Sequence, residues 1–271
     1  MSLGRRGRLR VAALLLAVPS VAYPFLIEPS WLEVTHHRAN LQIATPVRIA
    51  LLSDLHLPGA RGLRESVPAA LREEKVDLIL VAGDLVDPHG DRAAVTAFLA
   101  SLPRAPLGTY VVPGNWEYWA LGGTATTSLD LGGARWLVNQ PILLRPDLTL
   151  IGLDDELAGH PRVKQALAGT STIGARLAVL HSPSGAAAID GQVDLVLAGH
   201  THGGQVRLPG LGALFLPPGS DGYEAGWYQR GRTPLYVSRG LGMSVLPVRL
   251  YCRPELAIFD LVPQDNLQID K

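Results

Sequence analysis

VLAGHTHGGQV, residues 196–206, carries an apolar run into two histidines, His200 and His202, and then into two glycines. Histidine contributes little to a strand, and paired glycines weaken one. The run therefore reads as a short strand that stops at Gly199, with both histidines just past its carboxyl end. One such histidine alone would be an ordinary hydrogen-bonded side chain, but the same plan recurs along the chain. VRIALLS leads into Asp54-Leu55-His56, DLILVA into Gly83-Asp84-Leu85-Val86-Asp87, GTYVV into Pro113-Gly114-Asn115-Trp116-Glu117, and RLAVL into His181-Ser182-Pro183. Helix-like segments lie between, at 64–74 and 91–102, and LTLIGLDD (148–155), PLYVSRG (234–240) and ELAIFDL (255–261) read as further strands. Strands alternating with helices predict an α/β domain. In open α/β sheets the site lies at the carboxyl ends of the strands, where every polar cluster here falls.

The composition fits one large domain. Of 271 residues, 47% are hydrophobic and 18% charged, which supplies a substantial core and excludes wholesale disorder. Lys+Arg and Asp+Glu both total 24, so no basic field marks a nucleic-acid binder. Cys252 is the single cysteine, which excludes an internal disulfide and a thiolate metal cluster. The sequence leaves the oligomeric state open. The amino terminus differs in character. Arg5, Arg6, Arg8 and Arg10 precede a run without charge over residues 11–27. That run is at the short end for a membrane span. Pro19 and Pro24 are tolerated in such a span. A cleaved signal ending near Ser20-Val21-Ala22 is the rival reading, and a buried soluble helix is the third. The expected organisation is a basic segment and membrane-anchor helix over 1–28, a connector over 29–46 carrying a possible strand, the main domain over 47–262 and a tail over 263–271. A cut after residue 28 is expected to leave a soluble domain. The positive-inside rule puts the arginines in the cytoplasm and the domain on the outer, periplasmic or extracellular, face of a bacterial-type inner membrane.

The strand ends offer Asp54, His56, Asp84, Asn115, His181, His200 and His202. Oxygen and nitrogen ligands without thiolates suit Mn, Fe or Zn. Seven ligands exceed the needs of one ion and serve two that share a carboxylate. Two ions about 4 Å apart can clamp the attacking and leaving oxygens of a phosphoryl group. Strand alternation predicts that Asp54 and His56 point the same way with Leu55 in the core, and that His200 and His202 repeat this across Thr201.

In order, SDLHL, GDLVD, GNWE, HSP and GHTHGGQ resemble the motifs of the calcineurin-like metallophosphoesterases, over about residues 47–262. GHTHGGQ and YVSRGLG look most like the membrane-anchored bacterial branch, which includes the YkuE-like phosphoesterases and the UDP-2,3-diacylglucosamine pyrophosphatase type. The resemblance implies a four-layer αββα sandwich with a dimetal site at one edge. It implies one divalent ion held by Asp54, His56, Asp84 and His202, and another held by Asp84, Asn115, His181 and His200, with Asp84 bridging. A hydroxide between the ions would be the nucleophile, and Asp84, Asn115 and His200 count as catalytic positions. The sequence departs from the family at Trp116, where the usual motif has a histidine that assists the leaving group. Indole donates a hydrogen bond but is no general acid near neutral pH.

Weaker candidates complete the set. Arg239 could meet a phosphate bidentately. Glu117 reads as a structural carboxylate, Asp87 as a turn residue, and Asp154 and Asp155 as loop acids. His36 and His37 read as part of a solvated strand or loop, and His89 and His160 lie outside the motifs. Phe215, Tyr223, Trp227 and Tyr228 lie in the Gly/Pro-rich stretch 203–233, a long loop of a kind that is usually functional. They form either an apolar lip for a lipid-like substrate or the packing of the loop itself. The expected function is a metal-dependent phosphohydrolase acting on a phosphorylated small molecule or lipid-linked substrate. The other reading, favoured by Trp116, is a catalytically weak metal-binding sensor of a phosphorylated envelope component.

Overall fold

In the computed structural model, which describes residues 22–59, 62–87, 91–121, 128–170 and 173–264, the quoted apolar runs all become strands. Strands β2 (Val47–Leu52), β3 (Leu78–Ala82) and β4 (Thr109–Val112) lie parallel and side by side, and β5 (Arg135–Trp136) adds to their edge. On the other side, β14 (Glu255–Pro263) runs antiparallel to β2 and parallel to β1 (Glu33–Leu41). The second sheet has the order β12 (Gly226–Tyr228), β13 (Leu235–Val237), β9 (Leu195–Ala198), β8 (Ala175–Val179), β7 (Leu148–Gly152) and β6 (Gln140–Arg145). A small hairpin, β10 (Arg207–Leu208) and β11 (Gly212–Ala213), stands apart.

The central strands are continuously apolar because both of their faces are covered. Ile49, Leu51, Leu80 and Val112 of the first sheet pack against Leu150, Leu177 and Leu197 of the second. The outer face of the first sheet packs on α1 (Leu63–Glu74) and α2 (Arg92–Ser101) through Val67, Leu71, Val95 and Phe98. The side chain of Asp91 caps α2 by accepting from the Ala94 amide at 3.1 Å. Two short helices, α4 (Val163–Ala166) and α5 (Ala186–Ile189), contribute Ala166 and Ile189 to the outer face of the second sheet. The layers therefore run helices, sheet, sheet, helices. Val81 stands opposite Leu52, and Val112 opposite Ala82, so the loops bearing Asp54, Asp84 and Asn115 leave the first sheet together. Asn115 opens α3 (Asn115–Leu121).

The amino-terminal part departs from its expected division. Residues 29–46 carry the strand read there as possible, β1, and it pairs along all nine residues with β14, so it joins the main sheet. His36 is exposed on that strand, as read, and contacts Glu74 at 3.0 Å, whereas His37 is half-buried, its ring 4.5 Å from that of Tyr236 and 5.1 Å from that of Phe259. Of the expected membrane segment, residues 11–21 lie outside the described residues, as do His89 and residues 265–271 of the tail. Tyr23–Ile27 form a π-helical turn and Glu28–Ser30 a 3-10 turn. Among the described residues no helix is long and apolar enough to cross a membrane. The boundary at residue 28 also moves. Pro24 accepts from the Arg249 amide at 2.9 Å, and the buried Glu28 carboxylate accepts from the Cys252 amide. Residues 24–28 therefore belong to the folded body, and a cut after residue 28 would remove a buried carboxylate and leave the Cys252 amide without its acceptor.

Candidate metal centre

Strand alternation does not place the candidate ligands. β2 ends at Leu52 and β9 at Ala198, and beyond them the backbone turns into the left-handed region. Asp54 (φ 54°), His56 (φ 43°), Asp84 (φ 55°), His200 (φ 74°) and His202 (φ 52°) all lie there. That conformation is costly for residues with a Cβ and persists only where surrounding structure enforces it. The ladder continues past the strands to do so, with Asp54 N donating to Gly83 O at 3.0 Å and His56 N to Asp84 O at 3.0 Å. Leu55 is buried, as expected.

Glu117 holds two of these loops. Its carboxylate accepts from the amides of Asp84 at 2.9 Å, Leu85 at 2.7 Å and Gly114 at 2.7 Å. Gly114 has no room for a side chain, since a Cβ there would stand 2.3 Å from Asp84 Oδ1. Burial, with the nearby Asp84 charge, pushes the Glu117 pKa up to about 7. Glu117→Gln puts an NH₂ donor against these amide donors. It is expected to weaken metal binding about 10- to 100-fold, as loss of supporting bonds behind ligands does. Titration of metal-stripped protein measures this, and an unchanged affinity would refute the role.

The ligands form two groups that meet at Asp84. Asp54, His56, Asp84 and His202 make one, and Asp84, His181 and His200 the other. Asp84 Oδ2 lies 3.6 Å from His56 Nε2 and 3.2 Å from His181 Nε2. His56 Nε2 is 3.1 Å from His202 Nε2, which is 3.6 Å from Asp54 Oδ1. His181 Nε2 is 3.1 Å from both Asn115 Oδ1 and His200 Nδ1. Two backbone carbonyls set the tautomers. His181 Nδ1 donates to Ala82 O at 2.6 Å, and His200 Nε2 donates to Pro218 O at 2.6 Å. Each ring then turns its other nitrogen inward. Ser53 Oγ donates to Asp54 Oδ2 at 2.6 Å, and the His200 amide to the same carboxylate at 3.1 Å.

This donor set fits divalent cations. The two inward ring nitrogens, 3.1 Å apart, need a proton or a cation between them. Metal–ligand bonds of about 2.1 Å place neighbouring donor atoms about 3.0–3.4 Å apart, close to the spacings here. Electrostatics agree. Burial pushes the Asp54 pKa up to about 7 and pulls that of His56 down to about 4. Burial also pulls down on His181, but Asp84 and Asp54 outweigh it and hold that imidazole well above its ordinary value. Without metal the cluster thus retains positive charge at its centre, the place a cation takes when protons are displaced.

The remaining candidates fall elsewhere. The Arg239 guanidinium is committed to Glu33 at 2.9 Å and Glu255 at 3.1 Å, not offered to a phosphate. Asp154 accepts from the His160 amide at 2.9 Å, and Asp155 accepts from Ser182 Oγ at 2.6 Å and the Ala158 amide at 2.7 Å, so both organise the loop after β7. His160 joins neither ligand group. Asp87 adds its charge to the field at His56 without joining the ligands. The four loop aromatics separate. Tyr223 packs on Tyr228 at 4.8 Å beneath Arg230, and Trp227 packs on Tyr236 and Phe259. Only Phe215 reaches the site. Ser53, the carbonyls of Ala82 and Pro218, and Arg249 escaped the sequence reading, for a serine, a carbonyl or an arginine in an apolar run carries no signal of its partners.

Above the ligands opens a cavity of about 660 Å³ with Asp84, Asn115, His200 and His202 in its lining. Trp116, Trp119, Leu157, Phe215 and Val248 make its walls strongly apolar. The Trp116 ring stands edge-on, 5.8 Å from His56 and 5.4 Å from Trp119.

Comparison with known proteins gives a consistent result. The family model for calcineurin-like phosphoesterases matches residues 47–204. The metallophosphoesterase YkuE of Bacillus subtilis is 32% identical over 92% of this chain and 92% of its own length. The phosphodiesterase YaeI of Escherichia coli is 33% identical over 96% of this chain and all of its own. A transmembrane protein with a metallophosphoesterase domain from Danio rerio is 29% identical over 78% of this chain, which spans 52% of that relative.

Proposed function

The chain belongs to the calcineurin-like phosphoesterase family, and from that premise we propose that it hydrolyses phosphodiesters carrying an apolar group, at a centre that binds two divalent cations. The observation that carries the reading is the juxtaposition of the ligand cluster with apolar cavity walls. Asp54, His56, Asp84 and His202 would hold one ion, and Asp84, Asn115, His181 and His200 the other. Such ions supply Lewis acidity and an activated water. The chain's own residues do the rest. The carbonyls of Ala82 and Pro218 hold the outer nitrogens of His181 and His200, so that the inward nitrogen of each ring is the one an ion would meet. The cavity walls exclude water, which strengthens every charge interaction inside, and receive the apolar part of the substrate. The diester bond is favoured by the name of the Escherichia coli relative.

We propose that the protein sits at a bacterial-type inner membrane, tethered through the uncharged run that begins at residue 11 and precedes the folded residues 24–28, with the domain on the outer face. The run without charge beside four arginines supports this, as do relatives named as transmembrane proteins. Metal-dependent turnover of bis-p-nitrophenyl phosphate and of a long-chain phosphodiester is expected, sedimenting with membranes. Equal turnover of the two esters would remove the apolar preference. Activity free in the soluble fraction would overturn the tether. Binding of the long-chain ester without any turnover would favour the sensor reading.

Trp116 shapes the chemistry. Its indole lies beside the ligands but has no proton to transfer to an alkoxide. Proton donation is worth about 10²–10⁴-fold, so good leaving groups are expected to be preferred. Trp116→His should raise turnover of alkyl esters about 10²-fold more than that of aryl esters. Rates across a series of leaving-group pKa values test it. Identical slopes in a folded, metal-loaded variant would make Trp116 a packing residue only.

A further inference from the structure

Of sixteen exposed large apolar side chains among the described residues, ten lie on three segments: three in 25–27, four in 208–215 and three in 245–251. The three segments are joined. Pro24 O accepts from the Arg249 amide at 2.9 Å, the Arg207 amide donates to Leu250 O at 2.9 Å, and the Ser244 amide donates to Gln205 Oε1 at 2.6 Å. They form one surface, and Phe215, Val245 and Leu246 on it also line the cavity over the metal ligands. Val245 is the sharpest feature. It is 90% exposed, and its φ is 64°. A β-branched residue in that conformation is a true outlier, and Gln205 holds it there, its Oε1 accepting from the Ser244 amide at 2.6 Å and its Nε2 donating to Leu246 O at 3.2 Å.

We infer that this surface docks into a lipid bilayer, with the 243–251 loop and the 208–215 hairpin dipping into the interface so that the cavity mouth opens onto lipid. The partner follows from where the chain continues. Ile27, 51% exposed, lies six residues past Val21, at most about 20 Å of chain. Before it stand the residues outside the described structure, a run without charge preceded by Arg5, Arg6, Arg8 and Arg10. An apolar stretch flanked by arginines is the composition of a segment that enters a bilayer. A chain held in lipid there keeps this face close to the same bilayer. An apolar phosphodiester could then pass from membrane to metal centre without crossing water. The inference rests on the proposed apolar substrate for that last step, but the surface stands on its own geometry.

The test reads position rather than turnover. Full-length Val245→Cys carries an environment-sensitive fluorophore; Cys252 is buried and stays unlabelled. Leu211→Cys, at a residue 75% exposed on the hairpin, is the second variant should the first fail to fold. Ile173→Cys, 76% exposed and just before β8, at the end of that strand away from His181, is the reference. In phosphatidylethanolamine–phosphatidylglycerol vesicles containing nitroxide-labelled lipid, the loop labels should shift to the blue and be quenched at least twofold more than the reference. Quenching equal to the reference would overturn the inference. A blue shift without nitroxide quenching would also overturn it, by showing the surface covered by a second copy of the chain. Neither failure bears on whether the centre hydrolyses phosphodiesters.

Discussion

Asp84→Ala is expected to lose metal from both halves of the centre and to lower phosphodiester turnover on the order of 10³-fold or more, about 4 kcal/mol of barrier. Asp84 is the one residue common to both ligand groups. Its Oδ2 lies between His56 and His181, and its Oδ1 accepts from the Trp116 amide at 2.9 Å, so one carboxylate also fixes the start of α3. His56→Ala touches a single group and is expected to lower the occupancy of one ion while sparing the other. Metal analysis by emission spectrometry, alongside turnover, separates the variants. An Asp84→Ala protein that keeps two ions and a tenth of its activity would refute the shared-carboxylate scheme.

Arg249→Met is expected to cost about 3–5 kcal/mol of stability, as breaking a buried charged network does. In a chain of this size that is roughly 10 °C in Tm. Arg249 is fully buried, and burial lowers its pKa. It donates to the carbonyls of Gly242 at 2.6 Å, Cys252 at 3.0 Å, Arg239 at 3.0 Å and Gly240 at 3.1 Å. The segment it gathers lies against the metal centre: Gly242 N donates to Asp54 O at 2.6 Å, and Leu241 N to Ser53 O at 2.9 Å. Metal affinity should therefore fall with stability. Arg249→Lys should recover little of either, because a compact ammonium cannot reach four carbonyls spread over a planar fork. Thermal unfolding with and without metal measures both effects. A Tm within about 2 °C of the parent would show that these carbonyls find other partners.

The two clusters above differ in how they could be known. Asp54, His56, Asp84, Asn115, His181, His200 and His202 were legible in the chain because each follows an aliphatic run at once. A strand covered on both faces must be aliphatic throughout, and its carboxyl end is where a doubly covered sheet leaves room for polar groups. Residue type and local period therefore determined the central strands, their ends and the candidate ligand set, but not the short edge strands β5, β6 and β10–β12. The sequence could not show that Asp54 and His56 converge through left-handed turns instead of alternation, since local pattern does not report φ. Nor could it show that Arg239 spends its charge on Glu33 and Glu255 while Arg249 braces the site, or that Trp227 packs on β13 and β14 while Phe215 walls the cavity. These outcomes depend on which side chains meet after folding. Glu28 and Cys252, 224 positions apart, are partners only because the strands between them return to one edge of the molecule. Tertiary structure alone decided them, because a polar group's role follows from the partner that satisfies it, and that partner is rarely near in the chain.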